Sequence, residues 1–116
     1  MAGVWNWVIE QGAMCRAVLR LRDESGQPMN LAGCTARMQI RPQPRSSELL
    51  HELTSDSGGG IEIGETEGTL TLTVAPETSL TFTWRNAVYD LLLIDPGGEP
   101  TRVLKGSVMI DPAVTA

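Results

Sequence analysis

The sequence predicts an all-β fold: a single Ig-like antiparallel β-sandwich of about eight short strands with one short helical turn. Apolar and polar residues alternate over several short stretches, as they do in strands that bury one face and wet the other. Clusters of Gly, Pro, Asp and Ser separate these stretches about every 8–12 residues, a spacing typical of sandwiches. A small barrel, or a roll closed by the same strands, is the alternative architecture.

The strongest strand signal is a hairpin that ends near residue 110. Its first arm, residues 88–94, is almost entirely apolar, which is typical of a central strand. Residues 95–98 (Asp-Pro-Gly-Gly) predict a turn, because Pro presets φ and Gly accepts positive φ. The second arm alternates, and one of its faces is formed by Leu104, Gly106, Val108 and Ile110. We therefore expect a central strand paired with a strand whose outer face is wetter.

The remaining elements follow from shorter patterns. Alternating stretches predict strands at residues 4–9, 13–22, 34–41, 48–54, 61–63 and 69–74. Residues 75–80 place a proline and an acid in a first turn, which predicts the helical turn. Residues 1–116 are expected to form one domain, with residues 1–10 as an N-terminal strand and residues 111–116 as a surface tail.

Composition excludes several classes of function. Hydrophobic residues make up 41% and charged residues 20% of the chain, as in an ordinary globular domain. The formal net charge of −5 argues against general binding of nucleic acids. No apolar run approaches the ~20 residues that a membrane span needs, and the N-terminus lacks the features of a secretory signal. We therefore expect neither nucleic-acid nor membrane partners.

The two cysteines, Cys15 and Cys34, are too few for a disulfide framework. Both fall on the apolar side of a predicted strand, and we expect those strands to be neighbours. Core packing is therefore favoured over a ligand or nucleophile role. Synthesis in a reducing cytoplasm would keep both thiols free.

No motif for catalysis is present: a nucleophile elbow, an H-E-x-x-H, a paired C-x-x-C and a Walker loop are all lacking. His51 is the single histidine and has no partner cysteine, so a structural role is favoured. Glu62, Glu65 and Glu67 cluster near one turn, but their spacing matches no calcium loop. The sequence thus predicts a protein that is not an enzyme and has no metal site and no cofactor.

Two turn motifs carry a resemblance to a known family. The first, D-x-x-G-x-P-x-x-L-x-G, is met by Asp23, Gly26, Pro28, Leu31 and Gly33. The second, a Y-D-L strand followed by a D-x-x-G turn, is met by Tyr89, Asp90, Leu91, Asp95 and Gly98. Over residues 10–111 the chain resembles the N-terminal β-sandwich modules of baseplate upper proteins and tail-fibre-associated proteins of tailed bacteriophages and prophages. The motifs are mainly turn chemistry, so they specify the fold better than the function.

The resemblance implies a structural and interaction protein of the virion, made in the host bacterial cytoplasm and placed in the baseplate or tail-fibre region. Its expected partners are other virion proteins and further copies of itself. Receptor-binding proteins of such particles carry long C-terminal fibres or carbohydrate domains, whereas this chain has 116 residues. We therefore expect it to act as one sandwich. A capsid decoration or head–tail joining protein is the alternative. A carbohydrate-binding module is less favoured, since its aromatic platform would have to come from Trp5, Trp7, Trp84 or Tyr89.

The N-terminal segment is the predicted interaction site. Edge strands are usually blunted by lysine, proline or bulges, yet residues 4–9 contain neither lysine nor proline and no charge before Glu10. Trp5, Trp7 and Ile9 share one face of this segment. We expect the segment to dock on a neighbouring virion protein, by strand addition or by a tryptophan that fills an apolar pocket. In the alternative interpretation, both tryptophans belong to the domain's own core.

Mass spectrometry of the denatured, non-reduced protein should show two free thiols, because a reducing cytoplasm keeps isolated cysteines reduced. A mass lower by two hydrogens would reveal a bridge between Cys15 and Cys34 and would contradict this expectation.

Overall fold

The computed structural model describes residues 3–115, which form two β-sheets packed face to face. The strands are β1 (Gly3–Val4), β2 (Trp7–Glu10), β3 (Cys15–Arg20), β4 (Thr35–Arg41), β5 (His51–Thr54), β6 (Ile61–Gly64), β7 (Thr69–Val74), β8 (Asn86–Ile94) and β9 (Pro100–Asp111). A short helix, α1 (Pro76–Ser79), follows β7. The prediction of an all-β sandwich with one helical turn is confirmed.

The strand order is that of an immunoglobulin-like domain. The larger sheet runs β1-β9-β8-β4-β5, with β2 also paired to β9, and the smaller sheet runs β3-β7-β6. Strands β3, β7 and β6 take the places of B, E and D, and β5, β4, β8 and β9 those of C′, C, F and G, as in the variable-type domain. Among the named strands, β1 and β2 depart from antiparallel pairing, because both run parallel to β9. The predicted N-terminal strand, residues 4–9, is split into β1 and β2, because residues 5 and 6 do not belong to a strand.

The core lies between the inward faces of the two sheets. Its fully buried apolar side chains are Ile9, Leu31, Met38, Ile40, Leu70, Leu72, Val74, Leu91 and Val108. Burying a side chain of this size contributes about 1.5–3 kcal/mol. Strand β8 lies between β9 and β4 and buries every second residue, which confirms the central strand that its apolar run predicts.

A β-bulge in the β8–β9 hairpin changes which residues of β9 face outward. Leu91 pairs with Leu104 and Leu92 pairs with Arg102, so Val103 is an extra residue on β9. The alternation predicted for the second arm holds only from Leu104 onward, because the extra residue shifts the pattern by one position. Arg102 therefore points to the outer face of the larger sheet.

The first turn motif folds into a loop organised by one aspartate. Asp23 Oδ1 accepts hydrogen bonds from the backbone N–H groups of Ser25 and Gln27, both at 3.0 Å, and from the Ser25 hydroxyl. These bonds, above all the one from the Ser25 hydroxyl, lower the pKa of the Asp23 carboxyl. Gly26 adopts φ +84°, a conformation that side chains disfavour. The spacing of Asp23 and Gly26 is thus explained by turn geometry.

The expected proximity of the two cysteines is wrong. Cys15 begins β3 in the smaller sheet, whereas Cys34 lies directly before β4 in the larger sheet. The chain crosses from one sheet to the other between these strands, so they are not neighbours. Both thiols are free, and burial raises the pKa of the Cys15 thiol, which makes it less reactive.

A single glutamine ties three distant segments together. The Gln11 side-chain amide donates to the carbonyl oxygens of Ser79 and Phe82, at 3.1 and 3.2 Å. Its Oε1 accepts the backbone N–H of Ala113 at 3.0 Å, which holds the start of the predicted tail. The first two residues of the expected N-terminal strand, and residue 116 of the expected tail, lie outside the described residues.

Candidate protein-interaction surface

The residues predicted for docking lie mostly inside the domain. Trp7 and Ile9 are 6% and 0% exposed, and Trp5 is half-buried. The Trp5 ring stacks on Trp7 at 5.6 Å and meets the Tyr89 ring edge-on at 6.4 Å. The predicted insertion of Trp5 or Trp7 into a partner's apolar pocket does not fit the burial of Trp7, and the Trp5 ring is only partly exposed. Docking of the N-terminal segment by its backbone stays a prediction.

A polar contact inside the sandwich holds this segment on β9. The Tyr89 hydroxyl donates a 2.6 Å hydrogen bond to the carbonyl oxygen of Trp5, between β1 and β2. The same carbonyl lies directly over Gly106, where a Cβ atom would overlap with it. Next to it, Asn6 Oδ1 accepts the backbone N–H of Ser107 at 3.0 Å. The absence of a side chain at Gly106 therefore permits the close approach that Tyr89 secures.

The other side of the segment is an open sheet edge. Trp5 and Gln11 donate their backbone N–H groups to β9, to the carbonyl oxygens of Lys105 and Asp111. Backbone groups alternate in direction along a strand, so those of Val8 in β2 point away from β9. Within residues 3–115, no strand pairs with this side of β1 and β2. The edge is a template for an added strand.

Exposed apolar side chains accompany the edge on the outer face of the larger sheet. Val4, Val8 and Met109 are 69%, 54% and 51% exposed. Val8 and Met109 are register partners on β2 and β9, so their side chains lie side by side. Sequence reasoning missed these residues because it followed the tryptophan face. The even-numbered positions of the N-terminal alternation are the signal that identifies Val4 and Val8.

The remaining sheet edges are better protected than β2. Strand β3 carries Arg16 and Arg20 on its exposed face, β6 carries the exposed Glu62, and β5 carries Glu52. Charged side chains on an edge discourage pairing with another chain. The edge formed by β1 and β2 is thus the one most open to a partner.

The single histidine makes packing contacts. His51 packs edge-on against Phe82 at 5.2 Å, and Phe82 tilts against Trp84 at 4.9 Å. Burial lowers the pKa of His51, while the nearby Glu52 opposes this effect. The imidazole thus belongs to an aromatic cluster. Among residues 3–115, no group of three or more His, Cys, Asp or Glu side chains is placed to hold a metal ion.

The aromatic residues form no exposed platform. The five of them are either buried (Trp7, Phe82, Tyr89) or half-buried (Trp5, Trp84). Sugar-binding surfaces need exposed rings, because these stack on the apolar faces of sugars. The arrangement of the aromatic residues gives no support to a carbohydrate-binding module.

Comparison with known proteins yields no assignment. No family model and no curated protein sequence matches this chain. Among solved structures, the chain is similar to extracellular domains 3–5 of Drosophila OTK, with 14% identity and a TM-score of 0.37. The match covers 90% of this chain and 32% of that chain, so this chain spans about a third of its length. A likeness of this size carries no argument about function. Within the described part of the chain, no helix has the length and apolar character needed to cross a membrane.

Substitution Gly106→Ala should detach the N-terminal segment, because the new methyl group would displace the Trp5 carbonyl. We expect a loss of about 1–3 kcal/mol in the free energy of unfolding and faster amide hydrogen exchange over residues 3–10. Gly97→Ala is the matched control, since a Cβ atom there meets nothing nearer than 3.4 Å. Unchanged stability and exchange in Gly106→Ala would contradict this account.

Titration of Tyr89 should show a strongly raised pKa. Burial raises the pKa of this phenol to about 12, and Tyr89 is the single tyrosine, so the ultraviolet absorbance of tyrosinate reports it alone. In the unfolded chain, this tyrosine ionises at its ordinary pKa of about 10. The stability contributed by the protonated phenol is therefore complete below that pH and is lost as the pH rises to about 12.

Tyr89→Phe provides the control for this titration. At alkaline pH, the variant should not show the part of the decrease in the free energy of unfolding that Tyr89 ionisation causes. At neutral pH, it should be less stable by about 1–3 kcal/mol, because the Trp5 carbonyl loses its hydrogen-bond donor. If the tyrosinate absorbance of the folded protein appeared near the pKa of free tyrosine, about 10, the Tyr89 hydroxyl would not be held inside the sandwich.

Proposed function

We propose that this chain is a structural and interaction module of a tailed-phage particle, located in the baseplate or tail-fibre region. An extended segment of another virion protein joins the larger sheet beside β2 as an additional strand. The observation that carries the proposal is the open edge of β1 and β2, flanked by the exposed Val4, Val8 and Met109. The role is one of assembly and involves no catalysis.

The geometry of the edge suits strand addition. Main-chain hydrogen bonds from the incoming strand would satisfy the outward backbone groups of Val8 and supply affinity. Apolar side chains on one face of that strand would pack beside Val8 and Met109 and supply specificity. The hydrogen bond from Tyr89 to Trp5 fixes β1 and β2 beforehand, which reduces the entropy lost on binding.

The resemblance to baseplate and tail-fibre modules supports the placement in the particle. The turn motifs that carry it, at residues 23–33 and 95–98, shape loops at one end of the sandwich. The edge of β1 and β2 runs along the side of the sandwich, so loops and edge are separate surfaces. A module of this kind can contact two neighbours at once, as a joining protein must.

Substitution Val8→Lys should prevent incorporation into particles, because a lysine on an edge strand opposes pairing with another strand. We expect particles assembled with this variant to contain at least about tenfold less of the chain than particles assembled with the wild type. Val18→Lys is the matched control, since Val18 is also an exposed valine on an edge strand, 46% exposed on β3. Both variants should keep the wild-type melting temperature, because neither side chain is buried.

Equal incorporation of both variants would exclude the edge as the docking site. Failure of the wild-type chain to co-purify with particles would contradict the role in the virion itself. Negative-stain images of particles labelled through this chain then locate it: label at the tail tip supports the baseplate region. Label on the head contradicts that placement and favours the alternative of a decoration or head–tail joining protein.

A further inference from the structure

A basic groove crosses the outer face of the larger sheet. It has a volume of about 620 Å³ and lies between the loop at residues 42–46 and the strands β8 and β9. Its polar lining is formed chiefly by Gln39, Arg41, Arg45, Asp90, Arg102 and Lys105. The bulge in β9 contributes to this lining, because it turns Arg102 to the outer face.

The groove has the opposite charge to the protein. It is lined by four of the nine basic side chains but by one of the fourteen acidic ones, in a chain of net charge −5. That one acid, Asp90, lies 3.3 Å from Nε of Arg102, where it neutralises one cation. Arg45 and Lys105 are left to act on a ligand, while Arg41 also interacts with the nearby Glu52 carboxylate, which Gln39 binds. Such a concentration of positive charge in a concave surface attracts an anionic partner.

The Arg41 guanidinium is held by its neighbours, and the backbone of Arg45 has an uncommon conformation. The Arg41 guanidinium donates to the carbonyl oxygen of Ser46 at 3.1 Å and to Gln39 Oε1 at 2.9 Å. Arg45 has φ +65°, a left-handed conformation that Gly or Asn adopts more easily. A guanidinium that is already held loses less entropy when it pairs with a carboxylate.

The protein also carries a matching acidic surface at one end of the sandwich. The loops at residues 21–34, 65–68 and 95–99 meet there, since Arg20 pairs with Thr69 and Thr35 with Ile94. They expose six carboxylates, those of Asp23, Glu24, Glu65, Glu67, Asp95 and Glu99. Arg22 is the one basic residue in these loops. Together these six carboxylates form the acidic end of the sandwich.

We propose that the acidic end of one copy of this chain binds in the basic groove of a second copy. Groove and acidic end belong to the same folded sandwich, so they can meet only between molecules. Because the two contacting surfaces differ, the contact is head-to-tail and closes into a ring when its rotation allows. Complementary charge provides the long-range attraction and selects the orientation. This contact is distinct from the strand addition proposed beside β2, although Val4 lies both at the open edge and in the lining of the groove.

The test uses two charge-reversed variants and sedimentation equilibrium of the purified chain. The groove variant carries Arg45→Glu and Lys105→Glu, and the end variant carries Glu24→Lys and Glu67→Lys. We expect the wild type to associate at low salt and to dissociate as salt is raised. Each variant alone should show a dissociation constant raised at least about tenfold. An equimolar mixture of the two should associate again, since each reversed surface meets its opposite on the other variant.

A third variant tests whether added negative charge outside the groove also weakens association. Arg16→Glu with Arg85→Glu adds the same negative charge at exposed positions outside both the groove and the loops of the acidic end, and should associate as the wild type does. The proposal is overturned if the wild type stays monomeric at low salt, if the groove variant associates normally, or if the mixture stays monomeric. Association that Val8→Lys abolishes while the groove variant retains it would assign self-contact to the strand edge instead.

Discussion

The hydrogen bond from the Tyr89 hydroxyl to the Trp5 carbonyl is the contact on which the surface of this protein depends. It places a donor from the central strand β8 against the backbone between β1 and β2. The approach requires Gly106, because any side chain there would occupy the position of the carbonyl. With the segment held in this way, Trp7 and Ile9 complete the core, while the backbone of Val8 is left at an open edge. One internal contact thus sets both the burial of the segment and its availability to a partner.

Two kinds of surface with different chemical character lie on the outside of the sandwich. The edge of β1 and β2 is nearly uncharged and apolar, so it suits a contact made by backbone hydrogen bonds and dispersion. The groove formed by β4, β8 and β9 is basic, and the loops at one end of the sandwich are acidic. Contacts between charged surfaces weaken as salt rises, whereas strand addition is far less sensitive to salt. The two proposed contacts would therefore differ in their range and in their dependence on salt.

Most of the fold was predictable because it depends on local patterns. Strand β7 and the helical turn at residues 75–80 follow from strict alternation and from a proline with an acid. For the candidate site, docking of the N-terminal segment stays a prediction, and the structure turns Trp7 toward the core. The choice of face depends on which side of the edge strand meets the second sheet, and alternation alone does not specify this. The bulge at Val103 and the separation of Cys15 from Cys34 depend on pairing between distant strands.

The sequence by itself determined the secondary structure, the turns and the absence of known catalytic motifs. These properties depend on residue types and on their spacing over a few positions. The tertiary structure decided which strands became neighbours, which edge stayed open and which charges came together. Arg41 and Lys105 are far apart in the chain, yet they line one groove because β4 and β9 both pair with β8. Long-range pairing brings such residues together, and no local pattern records it.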